Sequence, residues 1–308
     1  MGAPFSASSL ARARACPAST ALPHVEGESS PDAARGTAVH AFLEGIEKGE
    51  ARADLLAAMP EGEAKTLCEK IDVRLVPMGG QTELAMAFDV VSGKCRRLYP
   101  LGHRRYDTRP NEVPGTTDVV RFDPTRVVVR DWKTVRWDFD VATARPQLEF
   151  YGLCAARIAG VEAVDVEIGI ITDDGVIGFE RWSLDWEDLA RISAEVRRSW
   201  AKAGAARAAR VAHEAESLAP WTPDVKEGGH CRYCPAILAC PAKRAALAMA
   251  LHLDVATITP DDAGQMLAVA GEASKAADRI REAVKALHAH YGSLPGVRAN
   301  KLGHLRVA

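Results

Sequence analysis

A β-hairpin is the strongest structural prediction in this sequence, and it lies between Gly115 and Thr134. Two segments, 115–122 and 127–133, are rich in Val, Thr and Phe, which favour strands. Between them stands Asp-Pro-Thr-Arg at 123–126, a composition typical of a turn. Because the position of a turn fixes the register of its two strands, the residues that face each other follow by counting outward.

Counting outward brings two carboxylates and a lysine to the same face of the hairpin. When Phe122 faces Val127, Asp118 faces Asp131, and Lys133 shares that face because side chains alternate along a strand. Facing carboxylates, with Cβ atoms about 4.5–5.5 Å apart, repel each other, and a divalent cation with oxygen ligands, Mg²⁺ or Mn²⁺, would offset their charge. From these residues alone, an exposed network of Asp and Lys at a sheet edge is an equally good interpretation.

The length and composition of the chain are typical of a globular protein with a sizeable core. Its 308 residues suit one large domain, or one domain with an appendage, and 47% of them are hydrophobic. No apolar run reaches the roughly 18 residues of a membrane span, and the N-terminus lacks the apolar centre of a secretory signal. We therefore expect a cytoplasmic protein with no membrane partner.

A net charge of −2 excludes a globally basic surface, so a nucleic acid would have to be held by local patches. One candidate patch lies in a loop and contains Arg104, Arg105 and Arg109. The other lies on a predicted helix, where the alternative is a solvated helix face. Its basic residues are Arg197, Arg198, Lys202, Arg207 and Arg210.

The remaining patterns predict strands and helices that alternate along the chain. Apolar residues at helical spacing predict a helix from about 33 to 48, with His40 at the flank of the apolar stripe. Pro146 suits the first turn of another helix, which Gly160 ends. Further strands are predicted at 82–91, 164–171 and 176–182, and a long helix at about 185–216. This order predicts the α/β (α+β) class, with a mixed central β-sheet flanked by helices.

Residues 251–308 differ in composition from the rest of the chain. The Thr-Pro-Asp-Asp run at 259–262 is typical of a helix start, and the Ala-rich segment after it is followed by Gly292 and Pro295, which stop helices. We expect 251–308 to be a C-terminal helical hairpin of unknown role, appended to a domain that covers 1–250. The sequence has no GxxxxGK[ST] phosphate loop, so no ATP-driven motor is predicted.

A cysteine cluster, HCRYCPAILACP, contains Cys231, Cys234 and Cys240 at C-x₂-C-x₅-C spacing. Three closely spaced thiolates need a fourth ligand. His230 would complete a Cys₃His zinc site from local residues, whereas Cys16 would complete an iron–sulphur site from the far end of the chain. These residues alone favour zinc and iron–sulphur equally. The other cysteines are interpreted as small apolar residues: Cys68, Cys95 and Cys154.

Six short motifs occur in a fixed order between about residues 5 and 245. They are Cys16 near the N-terminus, G-x-x-x-H ending at His40, G-x-x-D ending at Asp118, D-x-K from Asp131 to Lys133, Q-x-x-x-Y from Gln147 to Tyr151, and C-x₂-C-x₅-C from Cys231 to Cys240. Each is weak by itself. Together they resemble the RecB-like branch of the PD-(D/E)XK nuclease superfamily, and more closely its iron–sulphur members, of the AddB nuclease domain and CRISPR-associated adaptation nuclease type.

The resemblance implies a restriction-endonuclease-like core in residues 1–250 and a 4Fe–4S cluster. The implied cluster ligands are Cys16, Cys231, Cys234 and Cys240. Such a cluster would be a structural clasp between the N-terminal segment and the end of the domain. Because it closes a loop of more than 200 residues, it would stabilise the fold by constraining the unfolded chain.

The resemblance also implies roles for the residues of the hairpin and its neighbours. His40, Asp118 and Asp131 would coordinate Mg²⁺ or Mn²⁺, together with the backbone carbonyl of residue 132. Lys133 would hold the attacking water or stabilise the transition state. The Q-x-x-x-Y pair would position the DNA backbone or support Lys133: Gln147 and Tyr151.

The leading hypothesis is therefore a metal-dependent deoxyribonuclease, with exonuclease action on DNA ends or single strands favoured, in recombination, repair or phage DNA processing. A second hypothesis is a DNA-binding or scaffold subunit of a larger recombination or phage assembly, with little cleavage of its own. A third is a zinc protein with an incidental acidic hairpin. Iron absorbance in an anaerobically prepared sample distinguishes the third from the other two.

Overall fold

The structure is a computed structural model, and it describes most of the chain. The described residues are 3–24, 31–102, 105–124, 126–136, 140–216, 221, 223–245, isolated positions between 267 and 288, 297–299 and 305–307. Of the predicted basic loop patch, Arg104 lies outside the described residues, as does the predicted helix start at 259–262.

Among the described residues, six α-helices and ten strands have defined bounds. The helices are α1 (Leu10–Ala15), α2 (Pro31–Glu47), α3 (Arg52–Ala58), α4 (Glu63–Lys70), α5 (Val141–Ala159) and α6 (Trp186–Glu216). The strands are β1 (Gln81–Asp89), β2 (Cys95–Arg97), β3 (Pro100–Gly102), β4 (Arg105–Tyr106), β5 (Glu112–Phe122), β6 (Val127–Thr134), β7 (Val164–Ile171), β8 (Ile177–Leu184), β9 (Val297–Ala299) and β10 (Leu305–Val307).

A six-stranded mixed sheet forms the centre of the fold, in the order β2-β1-β5-β6-β7-β8. The β6–β7 pair is parallel, and every other neighbouring pair of this sheet is antiparallel. The parallel pair follows from the connection, because α5 lies between β6 and β7 in the chain and carries it back across the sheet. The predicted mixed sheet flanked by helices is confirmed.

Two apolar cores form against the sheet, and alternate residues of β6 contribute to different cores. Val127 and Val129 belong to the core that contains much of α5 and part of α6. Trp132, of opposite parity, belongs to the core formed with α2 and α4. Six successive residues of β6, from Val127 to Trp132, are buried. Burial on both sides explains why the first part of this strand, Val127 to Val129, is a continuous apolar run.

The register of the β5–β6 hairpin is the predicted one, with Phe122 paired to Val127. The paired ladder continues to Val119 and Arg130 and ends there. Beyond that point a side chain replaces a backbone partner, because the hydroxyl of Thr117 donates to the carbonyl of Arg130 at 3.2 Å. The two strands therefore separate at the end of the hairpin that carries the acidic residues.

The start of α5 differs from the prediction. The helix begins at Val141 rather than at Pro146, which lies inside it. Asp140 is the N-cap, and its side chain accepts a hydrogen bond from the backbone of Ala142 at 2.9 Å. Gly160 ends the helix as predicted, in the left-handed conformation at φ 72°.

Trp132 is a buried aromatic residue near the acidic end of the hairpin. It is 2% exposed, its ring lies 5.7 Å from the ring of Phe179, and the guanidinium of Arg130 lies 5.6 Å from its ring centroid. Gly169, the partner of Trp132 on β7, leaves the space that the indole fills. A Cβ at residue 169 would lie 2.2 Å from two ring atoms.

We expect Gly169→Ala to lower the free energy of unfolding by about 1–3 kcal/mol, the usual cost of overpacking a core. The measurement is urea unfolding followed by circular dichroism. Gly178→Ala on the neighbouring β8 is the matched control, because a Cβ there would meet nothing within 4 Å. Equal stability of the two variants would contradict this account of Trp132 packing.

The chain divides into two compact units. One contains Met1–Arg14 and Ser30–Ala205, and the other contains Ala15–Ser29 and Ala206–Ala308. The second unit includes an antiparallel pair near the C-terminus, β9 with β10. The division into a domain at 1–250 and a helical hairpin at 251–308 stays a prediction, and residues 251–266 lie outside the described residues. Within the described part of the chain, no helix combines the length and apolar character that crossing a membrane requires.

Candidate active site

His40 and Asp118 come together where α2 approaches β5. The Nδ1 atom of His40 lies 3.4 Å from Oδ2 of Asp118. The same oxygen accepts a hydrogen bond of 2.6 Å from the backbone N–H of Trp132 on β6. Asp118 thus bridges the two strands at the point where their backbone ladder has ended.

Asp131 and Lys133 form a close ion pair at the same end of β6. Oδ2 of Asp131 lies 2.5 Å from Nζ of Lys133, and Asp131 is 2% exposed. Oδ2 of Asp131 is buried, and the ammonium of Lys133 is the positive charge beside it. A buried carboxylate needs such a positive partner.

The charged side chains of this site interact electrostatically: His40, Asp118, Asp131 and Lys133. Burial disfavours the charged form of Asp118, but the contact and charge of His40 outweigh burial and hold the pKa of Asp118 below its usual value. Burial raises the pKa of Asp131, and the neighbouring charge of Asp118 raises it further. Burial would lower the pKa of Lys133, yet the charge of Asp131 outweighs it and raises that pKa. The lysine is therefore held as an ammonium.

The donor set suits a divalent cation in its chemistry. Two carboxylates and an imidazole are ligands that Mg²⁺ or Mn²⁺ accepts. The distances are those of ion pairs rather than of a closed coordination shell. Across the described residues, no three His, Cys, Asp or Glu side chains are grouped closely enough to hold a metal ion as they stand.

Gln147 and Tyr151 lie one turn apart on α5, as the motif requires, and bond to each other. The amide of Gln147 donates to the hydroxyl of Tyr151 at 2.8 Å. Tyr151 is 2% exposed, and burial followed by the charge of Asp131 raises its pKa well above the usual value. Gly115 makes this packing possible, because a Cβ there would lie 2.7 Å from the Tyr151 ring and 2.5 Å from Cβ of Ala7.

The sequence analysis did not identify Glu47, which lies beside the site. It is on α2, seven residues after His40 and so on the same helix face, and it is 6% exposed. Its Oε1 accepts a hydrogen bond of 2.9 Å from Nε1 of Trp132. Burial raises the pKa of Glu47 to about 7, against the opposing effects of Trp132 and Arg130.

A small cavity adjoins His40 and Asp118 and is lined by three further acids: Glu44, Glu47 and Glu83. Glu83 is the one described residue other than glycine with a positive φ, at 50°. It falls opposite Asp118, between the paired residues Thr82–Val119 and Leu84–Thr117. The spacing of His40, Glu44 and Glu47 at i, i+4 and i+7 was a sequence signal for this cavity.

The four predicted cluster cysteines line one cavity within the second unit: Cys16, Cys231, Cys234 and Cys240. The segment after Cys16 is held in place by α6, because Arg207 donates to the carbonyl of Thr20 at 3.0 Å and Arg210 donates to the carbonyl of Ala21. Two residues of the predicted basic helix patch therefore have internal partners. Four thiols around one cavity are the donor set of a 4Fe–4S cluster.

His230, the rival fourth ligand, lines the same cavity as the four cysteines. Its Nε2 lies 3.0 Å from the carbonyl oxygen of Lys226 and 3.8 Å from Sγ of Cys231. Both candidate fourth ligands, Cys16 and His230, are therefore at the cavity. Of the isolated cysteines, Cys68 and Cys154 have no exposed surface. Cys95 is partly exposed and packs against the apolar core that contains Cys154.

Solved structures that are similar to part of this chain include two of low sequence identity. The protein SSO0001 shares 17% sequence identity, with 69% of this chain and 72% of that chain covered, at a TM-score of 0.34. A protein from Eubacterium rectale described as an exonuclease shares 12% identity, with 64% of this chain and 79% of that chain covered, at a TM-score of 0.39. Comparison with curated protein sequences finds no match.

The family model of the PD-(D/E)XK nuclease superfamily matches residues 4–241. This range is most of the chain, and it includes every motif from Cys16 to Cys240. The mixed six-stranded sheet with flanking helices agrees with the restriction-endonuclease-like α/β fold of that superfamily. The chain belongs to the PD-(D/E)XK nuclease superfamily of hydrolases.

Proposed function

We propose that this protein is a Mg²⁺- or Mn²⁺-dependent deoxyribonuclease of the RecB-like branch, acting as an exonuclease on DNA ends or single strands in recombination, repair or phage DNA processing. The observation that carries the proposal is the convergence of two acids, an imidazole and an ammonium at the open end of the β5–β6 hairpin. The nuclease domain would cover 1–250, with 251–308 as an appendage.

In this proposal, the residues His40, Asp118 and Asp131, with the backbone carbonyl of Trp132, hold the cation. A bound divalent cation lowers the pKa of a water and offsets charge on the phosphate. Lys133 remains protonated beside Asp131, so it acts as a hydrogen-bond donor and a positive charge rather than as a general base. It would hold the water or stabilise the pentacovalent transition state.

Tyr151 would act as a support rather than as a direct DNA contact. Its burial and its hydrogen bond to Gln147 leave little of it to touch a substrate. Gln147 is half-buried, so it retains surface with which to meet the DNA backbone. The Q-x-x-x-Y pair would thus position DNA through the glutamine and fix the surroundings of Asp131 through the tyrosine.

We also propose that the four cysteines bind one 4Fe–4S cluster with a structural role. The shared cavity and the internal bonds of Arg207 and Arg210 to the segment after Cys16 support this assignment. No electron transfer is required of such a cluster. It would join two parts of the second unit that are more than 200 residues apart in the chain.

The test is incubation of anaerobically purified protein with end-labelled single-stranded and double-stranded DNA, in Mn²⁺, in Mg²⁺ and in EDTA. We expect the label to be released with either metal and not in EDTA, because the water is activated by the cation. Circular single-stranded DNA distinguishes exonuclease from endonuclease action, because an exonuclease leaves a circle without ends intact. Tight binding of DNA ends without cleavage in either metal would instead favour the scaffold subunit of a recombination or phage complex.

A further inference from the structure

Trp132, the middle residue of the D-x-K motif, points to the sheet face opposite to that of its neighbours Asp131 and Lys133. Trp132 lies between Asp131 and Lys133, and its indole enters the core formed with α2. A buried indole N–H needs an acceptor, and the carboxyl of Glu47 supplies it at 2.9 Å. This hydrogen bond joins the middle of the motif to α2, the helix that carries His40.

Satisfying that N–H with Glu47 lowers stability, because the carboxyl is buried. The residue is 6% exposed, and its Oε2 atom has no hydrogen-bond partner among the residues that the structure describes. The guanidinium of Arg130 is 4.0 Å from the other oxygen, which is too far for a hydrogen bond. Because a buried carboxyl with one unbonded oxygen costs stability, packing alone does not account for a polar side chain at this position.

The same tryptophan also holds a proposed metal ligand by its backbone. Its N–H donates to Oδ2 of Asp118 at 2.6 Å, and that oxygen lies 3.4 Å from Nδ1 of His40. Two hydrogen bonds and one close contact therefore connect Glu47 to Trp132, Trp132 to Asp118, and Asp118 to His40. This path begins and ends on α2, because α2 carries both Glu47 and His40. The path fixes the distance between the helix and the strand that together carry the site.

We infer that Glu47 is a positioning residue, which sets the geometry of the cation site through Trp132. This inference rests on the proposed function, because the site it positions is the proposed cation site. Glu47 does not touch the cation or the DNA in this account. Its contribution is to hold β6 against α2, so that His40 and Asp118 converge without a shift when a cation binds.

The test is the dissociation constant for Mn²⁺, measured from the free Mn²⁺ signal in electron paramagnetic resonance, without DNA. We expect Glu47→Leu to weaken Mn²⁺ binding at least about tenfold, the usual loss when a partner behind a metal ligand is removed. Glu47→Gln is the matched variant: it removes the charge but keeps the acceptor oxygen, and we expect binding within about threefold of the natural protein.

Trp132→Phe removes the donor of the hydrogen bond to Glu47. It replaces Glu47→Leu as the test if that variant does not fold. It keeps the ring but loses the N–H, so we expect weaker Mn²⁺ binding, with the double variant Glu47→Leu/Trp132→Phe no weaker than the worse single variant. Natural Mn²⁺ affinity in folded Glu47→Leu or Trp132→Phe would overturn the inference, as would equal loss in Glu47→Gln. If the unaltered protein binds no Mn²⁺ and cleaves no DNA, the proposed function itself fails.

Discussion

Replacing Asp131 by asparagine, or Lys133 by alanine, is expected to reduce DNA cleavage by about a thousandfold or more. The first change removes the buried carboxylate that faces the proposed cation, and the second removes the ammonium 2.5 Å from it. Neither residue lies in the unit that holds the four cluster cysteines, so the iron absorbance at about 400 nm should be unchanged. The measurement is the initial rate of label release from single-stranded DNA with Mn²⁺, under anaerobic conditions.

Asp123→Asn is the matched control for this prediction. Asp123 lies on the same hairpin, at the turn rather than at the open end, and its side chain is 45% exposed. We expect it to cleave at the natural rate, because it loses only a surface ion pair to Arg121. Turnover close to that of the unaltered protein by Asp131→Asn or Lys133→Ala would refute the assignment of the active site.

Replacing Cys16 by serine is expected to remove most of the iron absorbance and to lower the thermal midpoint. A 4Fe–4S cluster with three thiolates and a serine at the fourth corner is less stable, and loss of the cluster reopens a loop of more than 200 residues. The chain-entropy argument for a link across so long a loop gives a stabilisation of about 5 kcal/mol. Iron and sulphide content per folded chain and a thermal unfolding scan are the measurements.

Cys95→Ser is the control for the cluster, because Cys95 is a partly exposed cysteine in the other unit, and we expect it to keep the full iron content. A Cys16→Ser protein with unchanged iron content would exclude Cys16 as a ligand. A colourless unaltered protein with one zinc per chain would instead support the site completed by His230.

The register of the β5–β6 hairpin could be predicted from sequence because it depends on local physics. A turn at 123–126 fixes which residues pair, and alternation then fixes which side chains share a face. The paired residues Phe122 and Val127 confirm that reasoning. Sequence counting did not show that the ladder ends at Val119 and Arg130, since that depends on Thr117 and Asp118 replacing backbone partners across the gap.

The predicted start of α5 was wrong, and the reason is again physical. Proline in the first turn of a helix is a common preference, and the prediction relied on it at Pro146. Asp140, six residues earlier, caps the helix instead, and the sheet and the core on α5 are sufficient to hold a proline inside it. A cap and a proline compete as helix-start signals, and the sequence alone does not rank them.

By itself, the sequence determined the superfamily motifs, the mixed sheet and the register of the β5–β6 pair next to its turn, because each follows from residue spacing along one or two neighbouring elements. The tertiary structure decided what α2 contributes, since Glu47 meets Trp132 across 85 positions of the chain. It likewise decided that the segment after Cys16 bonds to α6, 187 residues later. Contacts between such distant residues depend on how the elements pack, and periodicity within one element carries no information about that packing.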